Sequence, residues 1–448
     1  MSKSLYSSVA KLNLAGSNRK VRRIFAEDLE WSLATVPRLS KLCLETIVRN
    51  FEEHPIVEKL PPGQRDYVLE RLSPLLPLHV TASLISDERY WKRCCKQRWD
   101  PCDTSQYGHS WKRMFLERHL ENIIELFVPD VTDPKTVLDL VPLCKNYVKR
   151  LNISQLLLPI KEPQQAEEEE CLDSASDSGS DRPSMDHFDF GILLDKLTSL
   201  EELHLMYRVK DCGMNFEWKM FEITLRDCES LAWALMSCKT LKVLRLQQSK
   251  VEDEKCRMLV RHLLDHPSLR ELDFSHNLIG DRGARAVSKL LNRSKLETLN
   301  IYDNDIRGPG AQAIASALSK NSTLLSLNLR LNRLGDEGGQ AIGKALRWNH
   351  TLLHLHLGAN EMTEPTAAVL AKALAQNNTL KTINLSCNRL GEDGGKLLED
   401  GMSHNISITE CDIRLTEVGQ EADCSISQVV QNNRDREHER RAPENGAG

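Results

Sequence analysis

The pattern Leu-x-x-(Leu or Ile)-x-(Leu, Ile or Phe) returns six times in the second half of this 448-residue chain, and it limits the possible fold more than any other feature. Successive copies are separated by steps of 28, 27, 28, 28 and 28 residues. A fixed period of about 20 to 50 residues is typical of a solenoid, in which each copy stacks on the next. The copies start at Leu241, Leu269, Leu296, Leu324, Leu352 and Leu380.

A polar residue follows each strand motif at a constant offset, and a helical pattern follows that residue. Five copies carry Asn at this offset, where a buried side chain can satisfy unpaired backbone groups. The helical pattern places apolar or small residues at i, i+3, i+4 and i+7. The sequence therefore predicts an α/β fold, a leucine-rich-repeat solenoid with a parallel inner sheet, outer helices and repeats of about 28 residues. The polar residues are Ser249, Asn277, Asn304, Asn332, Asn360 and Asn388.

The repeat array has irregular ends, and we predict that it spans residues 131–418. Leu200 starts an earlier copy, but its step to Leu241 is 41 residues, so about 13 extra residues must bulge out near the sequence DCGMNFEWKMFEI. The period reaches Ile408, after which the expected helix is replaced by polar sequence. Residues 419–448 are therefore predicted to form a polar C-terminal tail.

An acidic segment interrupts the array at residues 162–187. It carries nine acidic residues and one Arg, a net charge of 1 − 9 = −8. Such a segment cannot bury enough apolar surface to offset the entropy lost on ordering, so we predict a disordered insertion. Without it the formal charge of −5 becomes −5 + 8 = +3, and nothing in the charge pattern indicates a nucleic-acid partner.

The region before the repeats lacks their period and contains four of the seven tryptophans. We predict a flexible N-terminus over residues 1–21 and a small α-helical domain over residues 22–130. Asp87 is predicted to cap a helix that buries Trp91. Cys94, Cys95, Cys102 and His109 suggest zinc, but their spacing matches no common zinc motif, so no metal site is predicted.

The composition favours a cytoplasmic protein. The N-terminus has no apolar core of signal-peptide length, and no stretch approaches the about 20 apolar residues of a membrane span. The 13 cysteines are typical of reduced thiols used as small apolar side chains. We therefore expect no membrane partner.

The sequence carries no constellation that predicts catalysis. The stretches GQAIGKA and GEDGGKL resemble phosphate-binding loops but have the wrong glycine spacing and lack the Ser or Thr after Lys. We therefore predict no enzyme activity, no cofactor, no catalytic residue and no small-molecule substrate. The exposed strand positions form columns on the inner wall of the sheet, which favours protein partners. Predicted partner-binding residues are Tyr302, Arg330, Arg245, Asp273 and His356, with Tyr302 and Arg330 as anchors.

Two blocks of sequence resemble known families. LNLRLNRLGDEGGQAIGKAL resembles the ribonuclease-inhibitor class of leucine-rich repeats. The block VPRLSKLCLETIVRNFEEHPIVEKLPPGQRDYVLERLSPLLPLHVTASLISDERYWKRCCKQRW, followed by the acidic segment and the repeats, resembles the subunit-five family of the dynein regulatory complex over residues 22–413. That resemblance implies a structural and docking subunit of the nexin-dynein regulatory complex. Such a subunit would help to link axonemal doublets in the cytoskeleton of cilia and flagella, regulate motility and bind other subunits of the complex.

Two alternatives remain open at this point. LCLETIVRNF followed by LPPGQRDYVLERLSPLLPLHVTASLI resembles the adaptor-binding modules of elongin A and F-box proteins, which suggests a substrate receptor of a cullin-type ubiquitin ligase. The repeat class is also shared with the Ran GTPase-activating protein, although the long acidic tail expected there is missing.

Overall fold

The computed structural model describes residues 38–160 and 185–441. The described residues divide into two units, the first formed by 38–98 and the second by 99–160 together with 185–441. The boundary follows Arg98 rather than the predicted residue 130, because the helix Trp111–Glu125 packs against the first strand of the sheet and so belongs to the second unit.

The first unit is helical, as its apolar stripes predict. Asp87 caps the last of its helices, because its Oδ1 accepts a hydrogen bond from the backbone N–H of Tyr90 at 3.0 Å. The indole N–H of the buried Trp91 donates to the carbonyl of Ile85 at 2.9 Å, which satisfies its polar atom inside the core. The helices are Leu39–Arg49, Pro62–Arg71, Leu78–Leu84 and Glu88–Arg98.

In the described residues of the second unit, nine short strands form one parallel sheet in sequence order, which confirms the predicted fold class. Each strand pairs with the next, so the sheet grows by one strand per repeat. The strands are β1 Arg150–Ile153, β2 Glu202–Leu205, β3 Val243–Leu246, β4 Glu271–Asp273, β5 Thr298–Asn300, β6 Ser326–Asn328, β7 His354–His356, β8 Thr382–Asn384 and β9 Glu410–Asp412.

Helices follow the strands and pack against their neighbours in sequence order. The helix Asp253–Leu263 is representative, because it buries Cys256, Leu259, Val260 and Leu263 at the spacing that predicts a helix. Short 3₁₀ turns cover Ser105–Tyr107, Phe190–Ile192, Gly213–Asn215 and Trp218–Phe221. The helices of this unit are Trp111–Glu125, Lys135–Leu138, Val141–Cys144, Leu225–Ser237, Asp253–Leu263, Asp281–Arg293, Gly308–Leu318, Gly335–Leu346, Glu364–Leu374, Gly391–Ser403 and Gln420–Arg441.

The repeated asparagines form the predicted internal ladder. Asn332 is buried, and its Nδ2 donates to the carbonyls of Ile301 and Leu329, both at 3.0 Å. Its Oδ1 accepts from the backbone N–H of Ile306 at 3.1 Å. One side chain thus satisfies backbone groups of two successive repeats, which ties each repeat to the one before it.

A second asparagine ladder lies at the other end of the strands, where each helix returns to the sheet. The Nδ2 of Asn377 donates to the carbonyls of Leu346 and Asn349 at 2.8 and 2.9 Å, and its Oδ1 accepts from the N–H of Leu380 at 2.9 Å. This ladder was not predicted, although its members recur at a constant step of 28 residues in the sequence. Its members are Asn321, Asn349, Asn377, Asn405 and Asn433.

The C-terminal end of the sheet differs from the prediction. The helix Gln420–Arg441 occupies most of the predicted polar tail, residues 419–448. It buries Ala422, Ile426 and Val430, and Asn433 extends the second asparagine ladder to this helix. The prediction was wrong because the surrounding residues are so polar that a stripe of three apolar residues at a spacing of four was overlooked.

The acidic segment also ends earlier than predicted. Residues 162–184 lie outside the described residues, as do the predicted flexible residues 1–21. His187, placed in the disordered insertion by the sequence analysis, is instead buried, and its Nδ1 lies 2.7 Å from Oδ2 of Asp227. Asp227 also accepts from the hydroxyl of Thr224 at 2.8 Å, within a capping box at the start of the helix Leu225–Ser237. The chain is therefore anchored by His187 where it rejoins the repeats.

Candidate partner-binding surface

The open face of the sheet presents the predicted columns of side chains. Register pairs Arg245 with Asp273, Asp273 with Asn300, Asn300 with Asn328 and Asn328 with His356. In β5 to β8 the central Leu or Ile is buried and the two flanking residues are half-buried. The predicted register is therefore correct, and the flanking side chains form a largely polar wall.

Tyr302 and Arg330 lie together just beyond the ends of β5 and β6. Tyr302 is half-buried and Arg330 is exposed. The guanidinium carbon of Arg330 lies 5.9 Å from the centroid of the Tyr302 ring, at the limit of a cation–π contact. The two predicted anchors thus belong to one cluster.

His276 and Asp303 complete this cluster, although neither was among the predicted partner-binding residues. The ring of His276 meets that of Tyr302 edge to face at 4.8 Å between centroids. Its Nδ1 lies 2.7 Å from Oδ2 of Asp303. Both residues have positive φ, 56° and 54°, at a turn position that recurs after each of β3 to β9. Asp and His are among the residue types that favour this conformation, which was the available signal. We call His276, Tyr302, Asp303 and Arg330 the Tyr302 cluster.

The other three predicted residues lie outside the Tyr302 cluster. Arg245 is committed to an ion pair, because its Nε and Nη2 lie 2.8 and 2.6 Å from Oε1 of Glu271. His356 is half-buried on β7, two strands from β5, or about 10 Å across the sheet.

Asp273 was predicted to contact a partner, but only 7% of the residue is exposed. Its Oδ2 accepts hydrogen bonds from the side-chain amides of Gln247 and Asn300 at 2.9 and 3.0 Å, and its Oδ1 accepts from the N–H of Ser275 at 2.8 Å. A carboxylate with this many internal donors is a structural residue of the wall rather than an exposed contact.

Burial shapes the electrostatics of the histidines on the wall. Burial lowers the pKa of His204 to about 3, and the positive charge of Arg245 acts in the same direction. Burial, followed by the neighbouring His354, also lowers the pKa of His356. Both shifts favour the uncharged form of these rings.

The predicted bulge adds an aromatic patch beside the Tyr302 cluster. Phe216 and Trp218 meet edge to face at 5.0 Å, and 71% of Trp218 is exposed. The ammonium of Lys250 lies 5.0 Å from the Trp218 ring. Trp218 and His276 line the same cavity of about 430 Å³, so the patch and the cluster share one surface. The irregular length of this repeat was visible in the sequence, but the position of its aromatics was not.

The described residues contain neither a candidate metal site nor a candidate membrane-spanning helix. Over residues 38–160 and 185–441, no group of three or more His, Cys, Asp or Glu side chains is placed to hold a metal ion. No helix within these same ranges is both long and apolar enough to cross a bilayer. The glycines of the stretch GQAIGKA lie within the helix Gly335–Leu346, where a Cβ on Gly339 would lie 2.6 Å from Met362 and Thr366.

Comparison with known proteins agrees with the fold and the resemblance. The Leucine Rich repeat family model matches residues 265–288, 293–315, 320–343 and 376–398. A solved internalin from Listeria monocytogenes is 18% identical, with a TM-score of 0.32 over 52% of this chain and 67% of that one. That score is too low to support a conclusion.

Curated relatives from animals and a green alga share one name, Dynein regulatory complex subunit 5. The Macaca fascicularis protein is 53% identical over 308 residues, covering 68% of this chain and 62% of the relative. The Mus musculus protein is 55% identical over 271 residues, 60% of this chain and 54% of the relative. The Chlamydomonas reinhardtii protein is 34% identical over 221 residues, 49% of this chain and 50% of the relative.

The chain thus spans between half and two thirds of the length of these relatives. None of these names points to a ubiquitin ligase, so that alternative gains no support. The resemblance found in the sequence is confirmed, and the chain is identified as a leucine-rich-repeat protein similar to dynein regulatory complex subunit 5.

Proposed function

We propose that this chain is a structural and docking subunit of the nexin-dynein regulatory complex in the axoneme of cilia and flagella. The observation that carries the proposal is the 53% identity over 308 residues to a protein named for that complex. The 34% identity to an algal protein of the same name supports it further. In this role the chain binds other subunits and performs no catalysis.

The fold suits such a role. Each repeat contacts mainly its neighbours, so the nine-stranded sheet forms an extended frame of regularly spaced side chains. We propose that the Tyr302 cluster is one contact surface for another subunit, because Tyr and Arg are enriched among residues that contribute most to binding. The exposed Trp218 enlarges this surface with an aromatic side chain.

The ciliary assignment is tested by expressing the tagged chain in cells whose axonemes lack the native subunit. We expect the chain to enter the axonemes and to be recovered with other regulatory-complex subunits after extraction. A chain that is folded and expressed but absent from axonemes would overturn the assignment.

The contact surface is tested by the double substitution Tyr302→Ala and Arg330→Ala. Recovery of partner subunits should fall, because binding weakens by about 2 kcal/mol or more when an aromatic anchor and a forked donor are removed. The matched control is Arg347→Ala with Trp348→Ala, since both side chains are exposed and follow a helix rather than a strand. Equal recovery with the two double variants would move the contact surface elsewhere.

A further inference from the structure

Two irregular segments of the repeat array line a single apolar groove. The groove has a volume of about 950 Å³. One part of its lining comes from residues 157–160, which follow β1, and another comes from residues 209–225, which include the bulge before the helix Leu225–Ser237. The groove uses Glu217, Lys219 and Met220, whereas Phe216 and Trp218 line the separate cavity beside the Tyr302 cluster. The groove is therefore distinct from that surface.

Apolar side chains of this groove remain exposed to solvent. Ile160 is 71% exposed and Leu225 is 53% exposed. Leu157, Leu158 and Met220 are half-buried in the same lining. Exposed apolar side chains gathered in one concave site mark a place where another molecule binds, because single exposed apolar residues are ordinarily scattered.

The charges around the groove are predominantly negative. Its lining includes five carboxylates and two lysines. Both lysines are already neutralised, because Lys255 lies 2.7 Å from Glu222 and Lys219 pairs with Glu217. The excess of carboxylates includes Asp186 and Glu252. A partner with positive charges beside an apolar face is complementary to this arrangement.

We propose that this groove binds an amphipathic helix of a partner protein, with large apolar residues on one face and Lys or Arg beside that face. Helices that dock in this way present anchors at i, i+3 or i+4, and i+7. An added strand is disfavoured, because β2 already pairs with β1 and β3 along its length. The inference goes beyond docking at the Tyr302 cluster and does not depend on the ciliary assignment.

The chain's own residues 161–184 are a poor match for the groove. They contain eight acidic residues and two basic ones, so they would bring like charge to a negative lining. If these residues nevertheless occupied the groove, a peptide would bind only after residues 161–184 had been deleted.

The test measures binding of fluorescent model peptides to the full chain by anisotropy. The first peptide is an about 18-residue helix of Leu and Lys, long enough for five turns, with Leu at i, i+3, i+4 and i+7. A scrambled peptide of the same composition has no apolar face, and a Leu and Glu peptide reverses the charge. We expect the first peptide to bind about tenfold or more tightly than either control. Equal binding of the scrambled peptide, or no binding of the first, would overturn the proposal.

Variants locate the binding site. Ile160→Ser with Leu225→Ser should weaken binding of the Leu and Lys peptide about tenfold, because the apolar contact is lost. Ile406→Ser is the matched control, since Ile406 is as exposed as Leu225, at 53%, and lies outside the groove. Glu252→Lys should also weaken binding, whereas Glu421→Lys, at an exposed position in the C-terminal helix, should not. Binding that is unchanged by the groove variants would contradict the proposal, as would binding that occurs only after deletion of residues 161–184.

Discussion

Oε1 of Glu121 accepts a hydrogen bond from the backbone N–H of Asn152 at 2.7 Å. This bond joins the helix Trp111–Glu125 to β1, the strand at the edge of the sheet. Glu117 and Glu125 do the same for the N–H groups of Arg150 and Ser154, at 3.1 and 2.7 Å. The three glutamates are four residues apart, a rise of about 6 Å along the helix. The three N–H groups are two residues apart, about 6.6 Å along the strand, so the spacing of the acceptors matches that of the donors. The helix Trp111–Glu125 therefore satisfies the edge of β1 that another strand would otherwise pair with.

We predict that Glu121 makes this edge sensitive to pH. Burial raises the pKa of Glu121 to about 7 from its usual 4.5, and the neighbouring carboxylates of Glu117 and Glu125 act in the same direction. The folded state thus binds more protons than the unfolded state between these two values. Its contribution to stability is present below pH 4.5 and is lost as the pH rises to about 7.

The substitution Glu121→Gln tests this prediction, because Gln keeps a carbonyl acceptor but does not titrate. The thermal midpoint of the parent should fall more steeply than that of the variant between pH 4.5 and about 7. Glu121→Leu should be less stable than the Gln variant by about 0.5 to 1.5 kcal/mol, since it removes the acceptor of the Asn152 N–H. Parallel pH profiles for the parent and the Gln variant would show that Glu121 does not titrate in this range.

The first asparagine ladder predicts a large effect for a small substitution. Asn332→Ala leaves the carbonyl of Ile301 and the N–H of Ile306 without their side-chain partner, so the free energy of unfolding should fall by about 1 to 3 kcal/mol. Asn292→Ala is the control, because Asn292 is exposed on a helix. Chemical denaturation of both variants measures the difference. Equal stability of the two variants would mean that the ladder adds little.

The anchor at His187 gives a prediction about the acidic segment. Deleting residues 164–184 should leave the thermal midpoint nearly unchanged, because loop length has a small effect on stability. Extending the deletion through His187 removes a partner of the buried Asp227 and should cost about 1 to 3 kcal/mol. Similar losses in both variants would show that residues 164–184 themselves contribute to the folded state.

Periodicity explains which parts of the fold could be predicted. Leu327 and Asn332 recur with their equivalents at steps of 27 or 28 residues. The strand register, the buried face of each strand and the first asparagine ladder could therefore be predicted from these steps. Contacts without a period could not be found in this way. Glu121 and Asn152 are 31 residues apart and occur once, so no repeated pattern connects them.

The candidate partner-binding surface could be predicted only in part, because the repeat period gives the position of a side chain but not its exposure. Column positions place Tyr302 and Arg330 side by side, but whether a wall residue is exposed depends on the neighbours it meets. Asp273 is buried, and it accepts hydrogen bonds from Gln247, which follows β3, and from Asn300 on β5. His276 lies at a turn that strand alternation does not describe, since its φ is 56°. The apolar groove depends on residues 157–160 and on the bulge within residues 209–225, and the sequence does not fix the path of either segment.

The C-terminal helix Gln420–Arg441 packs over the last strand of the sheet and was not predicted from the sequence. Ile426 and Val430 are buried, and Asn433 donates to the carbonyls of Asn405 and Ile408 at 3.2 and 3.0 Å. Terminal repeats need a layer with a polar outer face to remain soluble. A chain truncated after residue 419 should therefore expose β9 and the helix Gly391–Ser403, lose stability and aggregate on heating.

Two comparisons separate a capping role from simple shortening of the chain. Truncation after residue 441 keeps the whole helix and should behave like the parent in thermal melts and light scattering. Ile426→Ser within the full chain should lower the free energy of unfolding by about 2 kcal/mol or more, since it removes a large apolar side chain from a buried site. If the chain truncated after residue 419 instead stays monomeric and melts with the parent, the sheet is stable without this helix. The helix would then contribute surface rather than stability.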